Sequence, residues 1–344
     1  MNSLLLLLLL TIYTLINSET LNNTEFNGVL KSSVLIKWGF RYNSTFIYLD
    51  NKNITSIERG TFQNFNNLES LTLSNNNIKK FDSDTFKGLN QLLNLELNGN
   101  GIEYFEDNAF ASLSNLQYLM INNNKIRTIK FNTFRGLKKL KILGLINSKI
   151  ESIEDESFSG TEYLEDIWLR GNRIERINSK CFKGLRNLHV LLLSGNKINF
   201  IKNGSFNDLQ NVEKIWLDKN ELNIIEPDLF KITKKLKILD LSYNKLKQMP
   251  TNLFSNLHAL EELYLNDNEL VSIERSNFQN TDSLKRLNLK RNKLDYIHQN
   301  SFKDSKNLYL LCLNDNLLPS NLTISLFGMT KLRHDSSTVD WCLY

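Results

Sequence analysis

Four histidines and three cysteines are the side chains best suited to acid–base, nucleophilic or metal chemistry in this chain of 344 residues. A catalytic histidine needs a nucleophile and an orienting carboxylate beside it, and a zinc site needs closely spaced His, Cys or carboxylate ligands. His189, His258 and His298 fall at unrelated places in the chain's periodic pattern, and His334 lies near the end. Cys181, Cys312 and Cys342 are likewise scattered. No glycine-rich phosphate loop follows a strand pattern. These residues therefore predict no enzyme, no metal centre and no cofactor.

The pattern that surrounds them is far more ordered. Phenylalanine recurs every 24 residues at Phe62, Phe86, Phe110, Phe134, Phe158, Phe182, Phe206, Phe230, Phe254, Phe278 and Phe302, without insertion or deletion. Such a register is produced by stacked short units, not by a lone core. Aligned on it, units start at Ser44, Leu68, Leu92, Leu116, Leu140, Leu164, Leu188, Val212, Leu236, Leu260, Leu284 and Leu308, and read LxxLxLxxNxIxxIxxxxFxxLxx. The fourth and sixth positions are apolar throughout, for example Leu71 and Leu73, which is the alternation of a short half-buried strand. The ninth is Asn in all units except those with Lys52 and Ser148. An amide there can satisfy backbone donors and acceptors at a strand exit.

This pattern resembles the extracellular leucine-rich repeat over about four-fifths of the chain. The resemblance implies an α/β solenoid, a horseshoe of about twelve repeats. Its concave face is a parallel sheet, its convex side is mostly irregular or short-helical, and its ninth column forms an asparagine ladder. Toll-like receptor ectodomains, matrix proteoglycans, axon-guidance proteins and invertebrate immune recognition proteins belong to that family. The chain is similar to insect secreted leucine-rich immune proteins, although it lacks their coiled coil.

Residues 1–18 read as a secretory signal peptide, with Leu4 to Leu10 as the apolar segment and Ser18 before the cleavage point, although no Lys or Arg precedes it. An uncleaved anchor is the alternative. Residues 19–43 form an expected N-terminal cap without cysteines, 44–318 the repeats, and 319–344 a C-terminal cap or tail. Sequons at Asn22, Asn43, Asn53, Asn203 and Asn321 agree with a secreted glycoprotein. A formal net charge of +5 does not call for nucleic acid. Cys181 occupies a column of small residues and reads as an inert buried filler. Cys312 and Cys342 are the disulfide candidates, within the chain or, for Cys342, to a partner chain.

Function is then sought among residues the stack does not need. The third, fifth and seventh positions point away from the core leucines. In the middle of the chain they carry Tyr118, Met120, Ile142, Ile146, Trp168, Val190, Leu192, Trp216 and Ile238, with Gly144 leaving room for a pocket and Tyr264 further along. Exposed apolar surface of that extent marks an interaction site, and Trp and Tyr are favoured anchors. Packing of these residues on one another is the competing explanation. A second stripe is basic: Lys125, Lys149, Arg173 and Lys197 in the tenth column, extended by Lys245 and Lys293, beside Arg170, Lys290 and Arg291. The expected function is binding of an extracellular protein ligand or receptor through the concave face, in innate immune recognition or signalling. The alternatives are a matrix or adhesion scaffold, and an anionic-glycan binder that uses the basic stripe.

Overall fold

A computed structural model of the chain describes residues 26–319. Twelve strands of three residues each, from Phe46–Tyr48 to Leu310–Cys312, form one parallel sheet in strict chain order. Each residue pairs with the one 24 positions on, as in Ile167 with Leu191 and Leu191 with Ile215. The sequence register is thus the sheet register.

Behind the sheet, the leucines of each strand, the isoleucines of the eleventh and fourteenth columns and the phenylalanines form one continuous core. The rings of Phe62 to Phe230 stack in succession with centroids 5.8–6.5 Å apart. The run resumes from Phe254 to Phe302. Each ring is almost wholly buried by its two neighbours, so one unit cannot be stable without the next.

The convex side is irregular but hardly helical. It carries turns, one 3-10 turn at Arg275–Phe278 and short parallel strand pairs such as Arg176–Ile177 with Phe200–Ile201. In a pair, the fifteenth residue donates its amide to the preceding unit, as Lys202 does to Ile177 at 2.9 Å. Pro250 occupies that position and has no amide to give. Convex pairing is intermittent: it is absent there, and equally at the units of Asp82, Glu106 and Glu226, which have that amide.

Ahead of the first unit, the strand Val29–Leu30 pairs with Ser56–Ile57, and the helix Ser32–Lys37 buries Leu35. Phe26 and Trp38 meet edge to face at 5.1 Å beside them. Apolar packing holds this segment, with no cysteine in it.

The ladder asparagines each serve backbone groups of two units. Asn100 donates to the carbonyls of Leu73 (3.0 Å) and Leu97 (3.1 Å) and accepts from the Ile78 amide at 3.1 Å. The eighth-column residue just ahead of the ladder position is left-handed in every unit, from Asn51 (φ 58°) to Asp315 (φ 58°). Gly99, Gly171 and Gly195 fit that conformation readily. Tyr243 and Arg291 adopt it at φ 53° and 51° and carry the steric cost of a side chain there. Only the two units without a ladder asparagine have a further left-handed residue in the tenth column: Asn53 after Lys52 and Lys149 after Ser148.

Candidate functional site: the concave face

Two rows of side chains stand on the open face of the sheet. One runs Tyr118, Ile142, Asp166, Val190, Lys214, Ile238 and the other Met120, Gly144, Trp168, Leu192, Trp216, Asp240, each residue beside the next on neighbouring strands. At a strand spacing of about 4.8 Å, Met120 and Trp216 are roughly 19 Å apart along the sheet. Both tryptophans, Tyr118, Met120, Ile142, Ile146, Leu192 and Ile238 are half-buried. Their half-burial shows that they are not a row of free rings.

Gly144 is buried. A Cβ added there would stand 2.7 Å from the Met120 sulfur and 3.0 Å from Asn122 Oδ1. Met120 and Asn122 therefore fill the space in which a pocket was expected. Tyr264 lies beyond Asp240 and donates its hydroxyl to Glu262 at 2.6 Å. Burial, with Glu262 adding to it, pushes the Tyr264 phenol up to about 12. That hydroxyl is a neutral donor already in use, at the margin of the apolar patch.

Partial burial shifts three carboxylates on this face. Burial pushes the Glu96 carboxyl above the usual range, against the lowering effect of its hydrogen bond from Asn94. Burial does the same to Asp240, although the Ser242 hydroxyl bonds it. Asp166 is raised by burial and by Glu165, and lowered in part by His189, Trp168 and Lys214.

On the lateral edge, Lys125, Lys149, Arg170, Arg173 and Lys197 are all exposed. The structure separates this stripe into two parts. Lys245 and Lys293 are paired with Glu221 and Glu269 at 2.8 Å each. Arg291 lies 3.5 Å from both Asp267 and Asp315, and Lys290 lies 3.8 Å from Asp315. In the central units, Arg173 reaches only Glu151, at 3.9 Å.

The other chemically capable residues do not assemble. Among the described residues no three His, Cys, Asp or Glu form a metal-binding group. His189, His258 and His298 stay apart, and His334 lies outside the described residues. Cys181 is a free buried thiol whose pKa burial pushes up to about 11. Cys312 is disulfide-bonded; Cys342 lies outside the described residues. Asn43, Asn53 and Asn203 are exposed and stand off the concave columns, while Asn22 and Asn321 lie outside the described residues. No described helix is long and apolar enough to cross a membrane.

The left-handed eighth column was missed at the sequence level. Asn and Gly fill it in the first seven units, which is a legible turn signal, but Lys219, Tyr243, Asp267 and Arg291 then obscure it.

Comparison with known proteins agrees with this geometry. The family model described as BspA type leucine-rich repeat region matches residues 40–165, 175–309 and 223–334, and a second leucine-rich-repeat model matches 138–198. No curated protein sequence matches the chain. TLR13, solved in complex with ssRNA13, is 25% identical with a TM-score of 0.72, over 83% of this chain and 46% of that one. Drosophila Toll, solved in complex with Spatzle, is 21% identical with a TM-score of 0.67, over 86% of this chain and 42% of that one. A leucine-rich-repeat protein of Leptospira interrogans is 23% identical with a TM-score of 0.62, over 78% and 74%. The chain thus spans less than half the length of TLR13 and of Toll. Sheet, ladder and matched models together show that it belongs to the leucine-rich-repeat family.

Proposed function

We propose that this chain is a secreted binding protein that takes a protein ligand on its concave face, centred on Trp168 and Trp216, in recognition of the innate-immune kind. One observation carries the reading. Two tryptophans and their aliphatic neighbours stand in register on the open face of a sheet whose core needs none of them. Half-burial suits this role, because half-buried side chains lose little side-chain entropy when a partner covers them. The described sequons lie off these columns, so glycans at Asn43, Asn53 and Asn203 would leave the face open. TLR13 and Toll share the fold and were solved with a nucleic acid and a protein ligand respectively. That likeness supports ligand binding as the general role and says nothing of this chain's own ligand.

Capture from native extracellular fluid on the immobilised chain, followed by cross-linking and peptide mapping, tests the reading. Cross-links should fall on residues flanking Trp168 and Trp216. Cross-links confined to the convex turns would place the ligand elsewhere.

A further inference from the structure

The two edges of the sheet differ in how they handle charge. Along the edge where the strands begin, the second column alternates in sign and compensates itself: Lys141 lies 3.8 Å from Glu165, Lys237 3.0 Å from Glu213 and Lys285 2.8 Å from Glu261. Along the edge where the strands end, the tenth column carries Lys125, Lys149, Arg173 and Lys197 in four consecutive units with no acid between them. Glu221 and Glu269 restore alternation only beyond that run.

Lys125, Lys149, Lys197 and the adjacent Arg170 form no ion pair among the described residues. Three carboxylates stand near the run, one of them Glu221, which pairs with Lys245 and also feels Lys197 at the end of the run. Glu151 is shared between Arg127 (3.6 Å) and Arg173 (3.9 Å), and Glu175 is two residues on from Arg173. Six cations over four units therefore face Glu151 and Glu175, with Glu221 at the end of the run. With units about 4.8 Å apart, the tenth-column run is roughly 14 Å long. Eighth-column residues beside it include Gly171 and Gly195, so no tall side chain walls it off there.

We infer that this edge is a second binding surface, distinct from the concave patch, and that it takes a linear sulfated glycan. A row of like charges, of which Arg173 alone has an ion-pair partner, suits a polymer that carries an anion at each step. Long, exposed, unpaired lysines supply attraction without demanding one geometry. The paired lysines of the later units are excluded because binding there would first have to break an ion pair.

The test uses the full chain, heparin as the probe and two variants of equal charge change. Lys125→Ala with Lys149→Ala and Lys197→Ala removes unpaired cations. Lys237→Ala with Lys285→Ala and Lys293→Ala removes paired ones. The first variant should bind heparin at least about tenfold more weakly, and its slope of log Kd against log salt should fall by about two to three, roughly one for each sulfate no longer neutralised. The second variant, and Trp168→Ala with Trp216→Ala, should bind heparin like the parent chain. Equal losses in both lysine variants would reduce the effect to net charge and overturn the site. So would no binding by the parent chain, or tighter binding of single-stranded polyuridylate than of heparin. Circular dichroism melting of each variant separates lost binding from lost folding.

Discussion

The amide of Ser148 donates to Oδ1 of Asn172 across one repeat, at 2.9 Å. The same oxygen accepts from the Ile150 amide at 3.0 Å, while the Asn172 amide nitrogen serves Leu145 O and Leu169 O. Asn196, one unit on, has no counterpart to the Ser148 bond: it accepts from Ile174 and donates to Leu169 and Leu193. Removal of a buried partner exposes each orphaned group to a desolvation cost of about 1–3 kcal/mol. Asn172→Ala is therefore expected to destabilise the chain by about 3–5 kcal/mol, and by more than Asn196→Ala. Urea unfolding followed by circular dichroism gives the ranking, and the reverse order would count against this reading of the ladder.

Ser148 leaves a defect that can be repaired. Its hydroxyl donates to Ile121 O at 3.0 Å, but Ile126, 22 residues before it, lacks the Asn Oδ1 that amides at this position receive in the neighbouring units. Ser148→Asn supplies that acceptor and removes the need for Lys149 to be left-handed. A gain of about 1 kcal/mol is expected, read as a rise in Tm of about 2 °C. A lower Tm would show that this unit has settled into its alternative backbone.

Glu96 gives the concave face a pH signature. Its folded pKa is raised by burial, so between the unfolded and folded values the folded chain holds a proton that the unfolded chain has released. Stability conferred by the protonated form is present at low pH and is lost as pH rises from about 4.5 through the folded pKa. Glu96→Gln should stabilise the chain at pH 7 and have little effect at pH 3. Equal effects at both pH values would mean that desolvation of the charge is not the cause.

Cys181 should be silent until the chain unfolds. Its thiol is buried among Ile153, Asn178 and Phe182, and its pKa is pushed up to about 11, which leaves almost no thiolate at neutral pH. Thiol-specific labelling of native protein at pH 8 should miss Cys181, and labelling in denaturant should find it. Rapid native labelling would require local opening at that repeat.

Architecture was legible because stacking repeats its demands. One ruler of phenylalanines located the twelve strands of the concave sheet, the core leucines and the ladder, down to the exceptions at Lys52 and Ser148, but not the short convex strand pairs. The candidate site was legible only as a set of residues left over. Which of them touch was not, because Met120 and Asn122 fold over Gly144, and rotamers are not periodic. Charge pairing along the stripe was hidden for a similar reason. Lys197 and Lys245 occupy the same column, yet only Lys245 meets a carboxylate, Glu221, 24 residues before it. Convex pairing is intermittent and does not track the one missing amide at Pro250, since the units of Asp82, Glu106 and Glu226 lack it too.

Trp168 and Trp216 carry the central claim, and their joint removal tests it most directly. Neither ring belongs to the buried core, so Trp168→Ala with Trp216→Ala should leave the circular dichroism spectrum and melting curve close to those of the parent chain. Truncation of two hot-spot aromatics costs about 4 kcal/mol or more, which is roughly a thousandfold in Kd. Titration of the captured protein ligand against parent and double variant is the measurement. A loss of that order with folding intact is the predicted result, and an unchanged Kd would contradict a ligand seated on the concave face.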